Sequence, residues 1–238
     1  GIVFVLRTGC AWNDVPAELG CGDGTTCWRR FREWTRSGVW PAVWRCVLNC
    51  LGKEGRVDLS RAVIDSASVR AVFGGITRGQ TPQIAAEGHK RHLVVDARGL
   101  PLALSTTAAN VPDGKVAIAL LDAIPPIQGP RGRPRFRPAI FQGDRAYGWE
   151  ENIRATRERR VQPQLARPKD DTHGSGLGQT RWVVEGTLSW FNHHRRLRLC
   201  YERSGESLLA LHQIAAVLIC AQKLCIVKLL ERGFTIAP

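Results

Sequence analysis

The sequence predicts an α/β protein, a mixed sheet flanked by helices with a small helical lobe ahead of it, and three observations lead there. From about residue 57 onward, short β-patterned runs alternate with helical ones. Before that point apolar residues recur three or four apart in a tryptophan-rich stretch, and Pro/Gly-rich breaks separate the runs. With 238 residues, 44% hydrophobic and 23% charged, the chain has a globular rather than a disordered composition and enough material for one substantial core plus a smaller lobe.

The lobe is assigned to residues 1–56. Its opening, Gly1-Ile-Val-Phe-Val-Leu6, reads as the middle of an apolar element. Together with the absence of methionine, this predicts that the natural N-terminus lies upstream. Thr25 and Thr26 are placed to cap a helix containing Cys27 to Trp34, and Ser37-Gly38 breaks the pattern before a second helix ending near Leu51. Two helices joined by a short turn could present Arg29 and Arg30 to DNA. A small core filled by Trp12, Trp28, Trp34, Trp40 and Trp44, with Arg29, Arg30 and Arg32 merely solvated, fits the pattern equally well.

The second domain is assigned to residues 57–238. Arg61-Ala-Val-Ile-Asp-Ser-Ala-Ser-Val69 reads as a strand, with Gly74-Gly75 in the loop after it. His92 to Ala97 and Leu100 to Ser105 flank the turn Asp96-Ala-Arg-Gly99 and predict a hairpin, its glycine placed where φ must be positive. A helix beginning near Asp113 is stopped by the basic Pro/Gly/Arg stretch 125–138. A strand ending at Asp144, a helix from Gly148 to Arg159, a short strand from Val161 to Ala166, and helices from Thr180 to Leu199 and from Glu206 to Leu230 complete the order β-β-β-α-β-α-β-α plus a final helix.

Lys and Arg number 34 against 21 acidic residues, a formal charge of +13, which favours a polyanion through phosphate contacts and counterion release. Double-stranded DNA is the expected partner. The eight cysteines form no CxxC pair and carry no His/Cys ligand spacing, so reduced core thiols are expected rather than a zinc site. No secretory leader is evident, which points to the cytoplasm, at the nucleoid. Ser207 to Leu230 is apolar, but His212, Gln213, Gln222, Lys223 and Lys228 interrupt it, so a packed helix is expected and no membrane span.

Three carboxylates stand where chemistry could converge: Asp65 within the first strand, Asp144 at the end of the fourth, and Glu185 early in a late helix. A ribonuclease-H-like sheet places its first and fourth strands side by side, so the aspartates would share one edge while the helix delivers the glutamate. Hard divalent ions prefer carboxylate oxygens, and two of them about 3.5 to 4 Å apart can clamp an in-line phosphoryl displacement. Any one of the three carboxylates, taken alone, fits a capping, turn or ion-pair role.

The motifs around them carry a resemblance. Gly1 to Pro16 with Thr26 to Trp34, then Val63-Ile-Asp65-Ser-Ala-Ser-Val-Arg-Ala71, Gly143-Asp144-Arg-Ala-Tyr147 and Arg181-Trp-Val-Val-Glu185, resemble the DDE transposases of bacterial insertion sequences, group five, within the larger group-four superfamily. The likeness spans nearly the whole chain. It implies a ribonuclease-H-like catalytic domain with Asp65, Asp144 and Glu185 as catalytic metal ligands, two Mg²⁺ or Mn²⁺ ions, cleavage at element ends followed by joining to target DNA, and a homodimer on DNA. It also implies that His193, Arg195, Arg196 and Arg198, in the basic block that follows, track the DNA backbone, where a solvated helix face fits as well. Lys90 and Arg145 beside the motifs are expected to contact DNA, and Arg181, one helical turn before Glu185, could orient that carboxylate, hold a phosphate or form an ordinary ion pair. The chain departs from the family pattern at Glu87 to His92, at Ala146 where glycine is usual, and at Gly186 where arginine is expected. A metal-dependent nuclease without joining, and an inactive DNA-binding remnant, are the alternative readings.

Overall fold

A computed structural model describes residues 1–72, 80–81, 84–166 and 178–224, with the backbone alone described at 80–81, 84–87 and 178–180. The predicted loop at Gly74-Gly75, most of the polar loop from Lys169 and the last helix beyond Leu224 lie outside the described residues.

The chain opens with α1 (Ile2–Thr8), ended by Gly9 in the left-handed region at φ 74. α2 (Gly24–Arg36) begins earlier than the threonines suggest, because the Asp23 carboxylate accepts from the Thr26 N–H at 2.7 Å and is the true cap. Gly38, at φ 70, turns the chain into α3 (Val39–Lys53).

Six strands then build the sheet: β1 (Arg61–Arg70), a two-residue β2 (Gln80–Thr81) that the sequence did not reveal, β3 (Ile84–Asp96), β4 (Pro101–Ala108), β5 (Ile140–Gly143) and β6 (Gln162–Leu165), with β2 as an appendage of β3. The main order is β4-β3-β1-β5-β6, with β1 central, antiparallel to β3 and parallel to β5. This is the mixed sheet of the ribonuclease-H-like fold. The β3–β4 hairpin closes through Asp96, whose carboxylate accepts from the N–H groups of Asp58, Arg98 and Leu100. Gly99 supplies the positive φ, 81°.

α4 (Ala117–Asp122) follows a 3₁₀ turn at Asp113–Val116, and α5 (Glu150–Glu158) connects β5 to β6. α6 (Gly178–Asn192) packs on β1 and β3, and α7 (Gly205–Lys223) packs on α3 and β4. α6 stops well short of the predicted Leu199. His193 and His194 donate their N–H groups three residues back, and Arg198 caps the Asn192 carbonyl at 2.7 Å, so the basic block is a bend with a 3₁₀ turn rather than one helix face.

Residue 56 marks where helices give way to strands, while the core runs across it. Leu6, Phe31, Trp44, Leu48 and Leu51 belong to the same buried cluster as Val63, Val94, Phe141 and Leu211. α7 reaches the length and hydropathy of a membrane span, yet ten of its residues are buried against the rest of the protein. The described cysteines are free thiols. Cys27, Cys200 and Cys220 are buried as expected, but Cys46 and Cys50 are exposed on α3, which corrects the expectation of core thiols throughout.

Candidate active site

Parallel pairing sets Val63 against Gln142, and the same register carried two residues further sets Asp65 against Asp144. Each aspartate commits one oxygen to its own backbone: Asp65 Oδ1 accepts from the Ser66 N–H at 2.8 Å and Asp144 Oδ1 from the Ala146 N–H at 2.9 Å. The second oxygen of each faces α6. That helix is held in register by Thr187, wholly buried, whose hydroxyl donates to the Gly99 carbonyl at 2.8 Å.

The result is a convergence on one atom. Arg181 Nη2 lies 3.3 Å from Asp65 Oδ2, 3.8 Å from Asp144 Oδ2 and 3.7 Å from Glu185 Oε1. Burial pushes the Asp65 carboxyl above its ordinary range, with the Ser66 N–H and the Arg181 guanidinium pulling against that and Asp144 adding to it. Glu185 is the most open of the three, with 60% of its side chain exposed.

Successive strand residues point to opposite faces, which separates two networks. On the face away from Arg181, Ser66 donates to Asp113 Oδ2 at 3.0 Å, and Lys90 Nζ bonds Asp113 Oδ1 at 2.8 Å and the Val111 carbonyl at 3.0 Å. His92 is buried there and held neutral, its pKa lowered to about 4 by burial against the opposing pull of Asp113. Asp113 is a fourth carboxylate behind the site, which the sequence marked only as a helix start because nothing in its spacing shows the pairing.

The predicted DNA contacts divide. Arg29 and Arg30 are exposed on α2, Arg30 pairing with Glu33 at 2.9 Å. His193, Arg195, Arg198 and Arg145 are exposed as well. Arg7, His193, His194 and Lys223 line one open basic cleft. Two assignments change. Arg196 is buried and bonds Glu202 Oε1 through Nε at 3.0 Å and Nη2 at 2.9 Å, so it is a structural cation. Lys90 is held by Asp113 on the face opposite the carboxylate cluster. Tyr147 is buried, packing beside the site. The sequence overlooked Trp182, next to Arg181 and 64% exposed. A Cβ at Gly186 would meet nothing within 4 Å, so a larger side chain has room there.

The donor set suits a hard divalent cation, being all carboxylate oxygen, and a cation already stands among the three groups in the form of the Arg181 guanidinium. As placed, no three His, Cys, Asp or Glu side chains among the described residues are gathered tightly enough to share a metal ion, and Arg181 Nη2 lies within 4 Å of all three carboxylates.

The sheet order is that of the ribonuclease-H-like enzymes, and β1, the end of β5 and α6 bring three acidic side chains around one guanidinium. The family model described as a transposase DDE domain matches residues 58–220, and one described as "Putative transposase of IS4/5 family" matches residues 1–44. The chain belongs to the DDE transposases of the IS4/5 family, and membership implies an enzyme that acts on DNA and uses divalent metal. From Burkholderia cepacia, the "Putative transposase for insertion sequence element IS402" is 44% identical over 196 residues, 76% of this chain and 90% of that protein. The "Insertion element IS402 uncharacterized 16.2 kDa protein" of the same organism is 52% identical over 87 residues, 37% of this chain and 59% of that protein.

Proposed function

We propose that this transposase cleaves the ends of an insertion element and joins the freed 3′-hydroxyls to target DNA, with Asp65, Asp144 and Glu185 as its catalytic carboxylates. The observation that carries this reading is their meeting: three acidic groups from distant parts of the chain each lie within 4 Å of one guanidinium nitrogen. Asp65 and Asp144 each keep one oxygen fixed by a backbone N–H and present the other, so their geometry is preorganised by strand pairing and costs little to organise at the moment of reaction. Two Mg²⁺ or Mn²⁺ ions held by the three groups would supply Lewis-acid stabilisation of an in-line displacement at phosphorus.

The exposed cations Arg29, Arg30, Arg145, His193, Arg195 and Arg198 are assigned to the DNA backbone. The helices of residues 1–56 form the DNA-contact lobe ahead of the catalytic domain, residues 57–238. Two copies act together as a homodimer on paired element ends, at the nucleoid in the cytoplasm.

The test is a duplex carrying the inverted repeat that flanks the coding frame, incubated with Mg²⁺ and a supercoiled target. Wild type is expected to nick the duplex and join it. Asp144→Asn is expected to lower cleavage by about a thousandfold, which corresponds to the loss of about 4 kcal/mol of transition-state stabilisation. Cleavage by Asp144→Asn at the wild-type rate would overturn the assignment, and nicking with no joined product would reduce the activity to that of a nuclease.

A further inference from the structure

Resting on the reading of Asp65, Asp144 and Glu185 as metal ligands, we propose that Arg181 is a built-in counter-ion that keeps the three carboxylates from taking up divalent metal until a DNA phosphate draws its guanidinium away. The position of Arg181 is the first reason. Its Nη2 lies 3.3, 3.8 and 3.7 Å from one oxygen of each carboxylate, the central place a shared cation would take. A Mg²⁺ ion needs carboxylate oxygens at about 2.0 to 2.1 Å, so it and the guanidinium cannot hold that place together. As they stand around Arg181, no three of the described carboxylates are close enough to one another to share an ion.

The second reason is how loosely Arg181 is held. A well-made guanidinium–carboxylate pair is bidentate, with contacts of about 2.7 to 2.9 Å. Arg196 approaches this with Glu202, through Nε at 3.0 Å and Nη2 at 2.9 Å. Arg181 instead spreads one nitrogen over three partners at longer range, and its Nε finds no hydrogen-bond partner among the described residues. Its charge balances the cluster without locking into it. The side chain is 27% exposed and Glu185, one turn along α6, is 60% exposed, so the way out to solvent is open.

The third reason is the alternative partner. A phosphate offers a guanidinium the planar, bidentate recognition that the three carboxylates deny it. DNA binding would therefore exchange one anion for another at Arg181 and leave the carboxylates to the metal. The two ligands then favour each other, and by linkage the coupling runs equally in both directions.

Mn²⁺ uptake followed by electron paramagnetic resonance reads this without turnover. In the absence of DNA, Arg181→Gln is expected to bind Mn²⁺ at least about tenfold more tightly than wild type, since a charge within 4 Å of all three ligands has gone. Arg181→Lys, which keeps a charge there, is expected to stay within a few-fold of wild type. Adding a cognate duplex should tighten Mn²⁺ binding to wild type by about tenfold and leave Arg181→Gln unchanged. Asp144→Asn with duplex provides the blank for metal held by DNA itself. Equal or weaker binding by Arg181→Gln without DNA, with Asp144→Asn abolishing uptake, would leave the metal site standing and overturn the counter-ion. No uptake by any protein, with or without duplex, would overturn both. If Arg181→Gln does not fold, the wild-type comparison decides alone: an affinity that duplex leaves unchanged overturns the coupling.

Discussion

Arg181 lies on α6 and Arg196 in the basic block just after it, and their surroundings set their roles. Arg196 and Glu202 expose 9% and 6% of their side chains, and Arg196 also bonds the Cys10 carbonyl at 3.1 Å, tying the start of the chain to the segment after α6. Removing one partner of such a pair leaves an uncompensated buried charge, so Glu202→Ala is expected to cost about 3 to 5 kcal/mol of stability. Urea unfolding would show this as a lower midpoint, while the cleavage rate per folded molecule stays near wild type because the pair does not touch the carboxylates. That Asp65, Asp144 and Glu185 could meet was legible from their element positions together with the motifs around them. The cations were not, since Lys90, Arg195 and Arg196 look alike as letters and differ only in burial and partner, which depend on long-range packing. Asp113 escaped for the same reason: its partners Ser66 and Lys90 come from two other strands.

Among the elements, the main strands were readable because apolar alternation and turn glycines are local signals, as at Gly99, and the two-residue β2 was not because it is too short to carry either. The helix ends were not. Asp23 took the cap that Thr25 and Thr26 suggested, and α6 ended at Asn192 because backbone bonds three residues back replaced the helical ladder before any glycine or proline announced it. β5 shows how closely an element can tie the fold to the site. It has four residues, lies between β1 and β6, and ends at Gly143 immediately before Asp144. A Cβ at Gly143 would meet Ile64 Cγ2 at 2.8 Å and the side chains of Leu165 and Tyr147 at 3.1 Å. Gly143→Ala must therefore push β5 away from β1 or displace Tyr147. A loss of about 1 to 3 kcal/mol is expected in urea unfolding. Cleavage should fall further than the folded fraction does, because the displaced strand carries Asp144 away from Asp65. A variant with lowered stability and an unchanged rate per folded molecule would show that the glycine serves packing alone.

Across the whole molecule, one core joins the N-terminal helices to the sheet, and it encloses more ionisable groups than a core of this size usually does. His89 and Arg91 on β3, His212 on α7 and His194 after α6 share the space around Phe191. His89 meets His212 edge to face at 6.1 Å, His212 stacks on Phe191, and Arg91 lies over the same phenyl ring. Among the described residues no acidic group accompanies them in these contacts, Arg91 bonding the Asn192 side-chain oxygen instead. Burial, with Arg91 adding to it at His89 and His212, lowers the pKa of His89 and of His194 to about 4 and that of His212 well below the ordinary 6.5. Each histidine is thus neutral in the fold and takes up a proton more readily when unfolded. A depressed folded pKa gives full stability above about 6.5 and loses it as pH falls from there toward the folded value, by up to about 2 kcal/mol per histidine at pH 5. Asp65 and Asp96 pull the other way, because burial raises their carboxyls above the usual 3.8, but they are two groups set against these three histidines. The unfolding midpoint is therefore expected to drop between pH 6.5 and 5, and His212→Phe, which keeps the stacked ring and removes the proton site, is expected to flatten that limb. A wild-type midpoint constant across the same interval would mean that these histidines are solvated in solution and that the space around Phe191 is open to water.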